Sequence, residues 1–240
     1  NPPSVVPKVA LSTDLNRNNW QHLDPINDSV PGMSVDKAYT ELIKDSEGQT
    51  VVVAVLDTGI DIKHEDLKGN IWTNKKEIPG NNIDDDKNGF VDDVYGWNFL
   101  GEAYYEQLEL TRLLGKGEDF PEKEDAQKDY DKRLAEARGE ETLKYYLNYD
   151  FKGRTTGDDP DNFDQTYYGD NKVEHSREDE SHGTHVAGII AAARNNNLGM
   201  KGVANNVQIM TLRVVPYGDE YDKDIALGIC LLYTSDAADE

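Results

Sequence analysis

The sequence predicts an α/β fold built on a mainly parallel sheet, and three stretches carry that expectation. TVVVAVLDTGID, from residue 50, and VQIMTLRVV (207–215) are apolar runs rich in β-branched residues. Neither alternates polar with apolar, so each suits a strand covered on both faces. Between them, HVAGIIAAARN (185–195) has the small, apolar composition of a buried helix. Such strand–helix–strand units gather functional residues at the carboxyl ends of the strands, and Asp57 stands at one.

Composition narrows the class. At 240 residues the chain can hold one large domain with a substantial core. No stretch approaches the ~20 apolar residues of a membrane span. The chain opens NPPSVVPK, without an initiator Met or a charged n-region, so it reads as a processed or partial product with any signal peptide out of view. Its 47 acidic and 25 basic residues give a net charge of −22, which repels polyanions and excludes nucleic acid as a partner. That acidity serves either solubility or cation binding. The single cysteine, Cys230, makes neither an internal disulfide nor a structural zinc site.

The elements follow in order. Residues 1–33, rich in Pro, Asn and Asp, are expected to form an arm wrapped over the rest. SVDKAYTELIK (34–44) predicts a short helix capped by Ser34, with Val35, Ala38 and Leu42 on one face. After the first strand comes NNIDDDKNGFVDD (81–93). Asp84, Asp86 and Asn88 at alternate positions, followed by Gly89, match the start of an EF-hand loop: short oxygen-bearing side chains converge there, and glycine permits the turn. Asp92 or Asp93 would add a carboxylate, while Tyr95 stands where the usual glutamate is expected. The pattern therefore predicts a calcium loop without flanking EF-hand helices.

Residues 101–180 hold 23 acidic and 12 basic residues. LELTRLLGK and EDAQKDYDKRLAEARGEETLKYYLNY predict amphipathic helices, followed by a Gly, Asp and Asn-rich loop. The stretch is expected to be a mainly helical acidic insertion, solvated on the surface. YDKDIALGI starts a last helix, and CLLYTSDAADE (230–240) breaks its pattern. Those eleven residues resemble a translated transposase-type sequencing adapter and are expected to be non-native.

DESHGTHVAGIIAAA (179–193) places His182 and His185 three apart. Zinc hydrolases use HExxH, with spacing four and a glutamate between, so metal binding is the weaker reading. The stronger one is a general base at a helix start, oriented by a carboxylate such as Asp57. His64 reads as a surface or packing residue, and His22 and His175 have no evident partner.

VAVLDTGIDIKHEDL and SHGTHVAGIIAA resemble the segments around the catalytic aspartate and histidine of the subtilisin-like serine peptidases. The resemblance covers about 34–100 and 181–229. It implies a subtilisin-like, doubly wound, mainly parallel sheet, truncated here. It implies that Asp57 orients His182, that His182 is the general base, and that His185 packs structurally. It further implies a second calcium site at Asp66 and the loop RNNNLGM (194–200), with Asn196 as a ligand, and it makes Val214 and Val215 part of the substrate-binding wall. A GTSMA-like serine and an oxyanion asparagine do not occur after His182, so this chain is expected to be inactive. The parent is expected to be a secreted or cell-envelope endopeptidase acting on proteins or peptides, and possibly on its own propeptide. The rival reading is a non-catalytic, calcium-dependent binding module.

Overall fold

Three parallel strands form the sheet in a computed structural model that describes residues 18–44, 46, 48–175, 177 and 180–235. They are β1 (Val51–Asp57), β2 (Gly96–Asn98) and β3 (Val207–Arg213), in the order β1-β3-β2. The central strand, β3, is therefore the most covered, and all of Ile209–Arg213 is buried. Its register against β1 runs from Val51 opposite Val207 to Asp57 opposite Arg213, so those two side chains finish the sheet side by side.

Strand periodicity divides the core into two. Met210, Leu212 and Val214 face one cluster with Trp72, Phe90, Trp97, Phe99, Tyr168 and Leu231. Ile209 faces the other, with Val55, Ile60, Leu67, Ala187 and Ala191. Helices thus cover both faces, as in a doubly wound α/β sheet.

Five helical elements accompany the sheet. The first, α1 (Val35–Ala38), passes into a wider π turn at Tyr39–Ile43. Ser34 does not cap it: this residue is left-handed, and its hydroxyl donates to Asp24 Oδ2 at 2.9 Å. The expected apolar face fails as well, because Leu42 is exposed. The arm before it does wrap the body from residue 18 onward, while residues 1–17 lie outside the described set. His22 is fully buried, its Nε2 2.8 Å from the Lys201 carbonyl, and Arg194 stacks on Tyr39 while pairing with Asp36.

The short strand β2 has no signal in the sequence because only three residues pair. It depends on Gly96, whose φ is +117° and where any Cβ would collide with the Thr211 carbonyl. In the insertion, α2 (Glu109–Gly115) and α3 (Lys123–Glu136) confirm the two helical patterns. The insertion is less detached than expected. Tyr130, Leu147, Tyr168 and Val173 are buried, and Trp97 Nε1 donates to the Tyr168 carbonyl at 2.7 Å.

The buried helix is α4 (His182–Ala191), and α5 (Asp222–Thr234) closes the described chain. The break expected at residue 230 is absent: α5 runs through it, with Leu231 in the core and Cys230 exposed. Burying a leucine contributes roughly 1.5–3 kcal/mol, which favours continuing the helix. Residues 236–240 of that tail lie outside the described set. No described helix is long and apolar enough to cross a membrane.

Candidate active site and cation loop

His182 is the first residue of α4, and the sheet places Asp57 at the end of β1. Although 125 positions apart, they meet: His182 Nδ1 lies 2.8 Å from Asp57 Oδ2 and 3.0 Å from Oδ1. The glycine between the two histidines permits this. A Cβ at Gly183 would collide with the Gly59 carbonyl and press on Asp57, so only glycine lets the helix start approach β1 so closely.

Asp57 is itself fixed from several sides. Thr58 N donates to Oδ1 at 2.7 Å, and the amides of Val214 and Val215 both donate to the Asp57 carbonyl. The Asp57 side chain is one-tenth exposed and that of His182 three-quarters exposed. A protected carboxylate thus grips one nitrogen of an accessible imidazole. With the proton held on Nδ1, Nε2 is the basic nitrogen, which suits proton transfer.

Behind this pair lies Arg213, which is fully buried. Its guanidinium donates to the carbonyls of Thr58, Gly101 and Ala103 at 2.9–3.0 Å, and lies 3.9 Å from Glu180. Thr58 follows Asp57 and Glu180 precedes Ser181–His182, so one cation ties together the backbones flanking both site residues. Burial pushes the guanidinium below its usual value.

A pocket of about 300 Å³ opens beside His182, lined by Thr58, Glu180, Ser181, His182, His185 and Tyr217. A larger cleft of about 470 Å³ lies between the insertion and α5 and shares none of these residues. His185 does not pack away as the resemblance implies; it is exposed on the pocket wall. Val214 also departs from expectation. It cannot wall a subsite here, because it is fully buried with Met210 and Leu212, and only Val215 is partly exposed. Tyr217 and Glu180 were missed by sequence reasoning; Tyr217 lies just past the edge segment and carries no motif.

His64 Nδ1 accepts the Asp66 amide at 3.2 Å and caps a short 3₁₀ turn. Asp66 and Asn196 do come together, with the Asn196 amide donating to Asp66 Oδ1 at 2.7 Å.

In the acidic loop, Asp84 and Asp86 converge with Glu77, one carboxylate oxygen of each lying within 4.8 Å of the others. Glu77, seven residues before Asp84, matches no loop pattern and was also missed. It is buried, and its oxygens accept the amides of Asp85, Asp86 and Asp92. Asn88 donates to Asp86 and to Asp93, and Asn74 donates to both of those carboxylates. Asp92 has a different job from the one expected. It accepts the amides of Gly80 and Asn82, which staples the loop, and so faces away from ligation. Burial, with Asp86 and Glu77 close by, pushes the Asp93 carboxyl up to about 6. Crowded carboxylates of this kind fit a hard divalent cation, which offsets their repulsion.

Comparison with known proteins agrees with this geometry. The model of the Subtilase family matches residues 48–238. The chain is 29% identical over 224 residues to the Extracellular basic protease of Dichelobacter nodosus, covering 93% of this chain and 26% of that one. It is 27% identical over 176 residues to Subtilisin-like protease 1 of Plasmodium falciparum (isolate 3D7), covering 73% and 15% respectively. The Major intracellular serine protease of Bacillus subtilis (strain 168) is 39% identical over 83 residues, covering 35% and 24%. The matched stretches thus span about a quarter or less of these relatives' length. With the family model matched along most of its length, the chain belongs to the subtilase family.

Proposed function

We propose that this chain is the amino-terminal part of the catalytic domain of a serine endopeptidase, contributing two of the three members of an Asp-His-Ser triad. The supporting observation is the 2.8 Å pair of His182 and Asp57 at the mouth of an open pocket. Asp57 holds the imidazole tautomer and stabilises the imidazolium. His182 takes the proton from a serine hydroxyl as it attacks the peptide carbonyl, then returns it to the leaving amine. The serine and an oxyanion-hole asparagine are expected in sequence beyond this chain, so the 240 residues alone should not turn over substrate. Substrates are proteins or peptides, with the enzyme's own propeptide as a candidate occupant. The expected location is the cell exterior or envelope, in line with the extracellular relative.

Calcium is the expected structural cofactor. Glu77, Asp84 and Asp86 would hold it, with Asn88 and Asp93 supporting them. The ion supplies charge compensation and stabilises the fold by binding only the native state.

Labelling the full-length protein with a fluorophosphonate tests the reading. One serine outside this chain should react, and His182→Ala should abolish labelling and peptide hydrolysis together. An unlabelled, folded, calcium-binding protein would favour a non-catalytic binding module.

A further inference from the structure

The insertion reaches the candidate active site through its backbone. Residues 104–107 lie along the segment after β3: Tyr217 N donates to the Tyr104 carbonyl and Glu106 N to the Tyr217 carbonyl, both at 2.7 Å. Asp219 N donates to the Gln107 carbonyl at 3.2 Å. Gly218 makes the approach possible, with φ +134° and a Glu106 carbonyl where a Cβ would stand.

This pairing sets Tyr217 on the wall of the pocket that holds His182, with 40% of its surface exposed. Its ring stacks on Tyr104 at 4.8 Å and 17°. Tyr104 meets Tyr105 edge-on at 4.6 Å, and Tyr105 stacks on Tyr145 at 3.9 Å. The Arg177 guanidinium lies 4.3 Å over Tyr104 and donates to the Tyr105 hydroxyl, which in turn donates to Glu141. Rings held on both sides lose little freedom on contact, so the exposed Tyr217 ring is a preorganised surface.

We infer that Tyr217 is a specificity-determining residue: the insertion builds an aromatic wall beside His182 that selects peptides with a large apolar, above all aromatic, side chain near the scissile bond. The inference rests on the peptidase reading given above. The chemistry of the wall favours that class. A net charge of −22 and the carboxylate of Glu180 in the same pocket oppose acidic side chains, and Arg177 on the tyrosine stack opposes cationic ones. An aromatic side chain gains both buried area and ring contact.

The test uses the full-length protein and fluorogenic peptides that differ only in the residues preceding the cleaved bond. The wild type should prefer phenylalanine over alanine by roughly tenfold or more in kcat/KM at one such position. Tyr217→Ala should remove most of that preference, chiefly through KM, and Tyr217→Phe should keep it. Unchanged discrimination in Tyr217→Ala, or a preference for lysine or arginine, overturns the inference. Calorimetry of the same peptides with His182→Ala protein separates the two claims. Tyr217-dependent binding of aromatic peptides, without hydrolysis by the wild type, would leave the wall standing and sink the peptidase reading. Absence of both would overturn both.

Discussion

An Asp224→Asn substitution would remove one negative charge from the junction between the insertion and α5. Asp224 takes two hydrogen bonds from Arg154, at 2.8 and 2.9 Å, and one from the Tyr168 hydroxyl at 2.5 Å. Arg154 also grips Asp158 with two bonds of 2.8 Å, and Lys223 donates to Asp158 at 2.7 Å. None of the four charged side chains is more than 10% exposed, so two cations and two anions cancel in a site with little water. Asparagine would leave that site with a net positive charge and turn an amide group toward the guanidinium. Breaking a buried pair costs about 3–5 kcal/mol, and the surviving Asp158 places this loss near the lower figure. That is a large share of the ~5–15 kcal/mol that holds a domain together, and corresponds to a fall in Tm of about 6–12 °C. Urea melts followed by circular dichroism measure it, with limited proteolysis of the insertion to locate the loosening. The control is Lys128→Ala, which breaks an Asp125 pair whose side chains are 71% and 77% exposed and should change stability by less than ~0.5 kcal/mol. If Asp224→Asn falls within that same range, the buried network does not join the insertion to the domain.

Other outcomes follow from the same geometry. Gly183→Ala should drive His182 from Asp57 and lower kcat/KM of the full-length enzyme about 100-fold, as expected for a misplaced catalytic group, with the circular dichroism spectrum kept. Calcium at 100 times its Kd should stabilise the protein by about 2.7 kcal/mol, and Glu77→Gln should weaken that gain in thermal melts. Arg154 and Lys223 hold the Asp158 carboxyl down at about 2, so its stabilising contribution is present above the ordinary carboxylate value and disappears as pH falls from about 4 through 2. Acid melts of Asp158→Asn should lack that component. Burial lowers the pKa of His22, so the neutral ring stabilises the fold above about 6.5 and that support is lost as pH falls through the lower folded value. His22→Phe should flatten that part of the stability–pH curve.

The placement of Asp57 and His182 was legible because each sits in a local pattern, a buried strand end and a helix start, that fixes its position with little help from the rest of the chain. The two-sided burial of β1 and β3 was legible for the same reason. What was hidden depends on contacts between distant residues. Arg154 and Asp224 are 70 positions apart, and nothing in either neighbourhood announces the other. Glu77 joins the acidic loop through amides of Asp85, Asp86 and Asp92, outside any EF-hand spacing. Val214 was misjudged against a signal that was present: it shares the strand face of Met210 and Leu212, and that periodicity sends it into the core. The helix through residue 230 was missed because an odd-looking composition outweighed Leu231, whose position on α5 faces the sheet. The tyrosine stack around Tyr217 needed the backbone pairing of two segments more than 100 residues apart.

The most direct test of the central claim is the kcat/KM of the full-length protein carrying Asp57→Asn, measured on its preferred peptide. If Asp57 holds His182 in the tautomer that accepts a proton, activity should fall by about 10⁴ with folding unchanged. A loss of less than tenfold would show that the 2.8 Å pair does not serve catalysis.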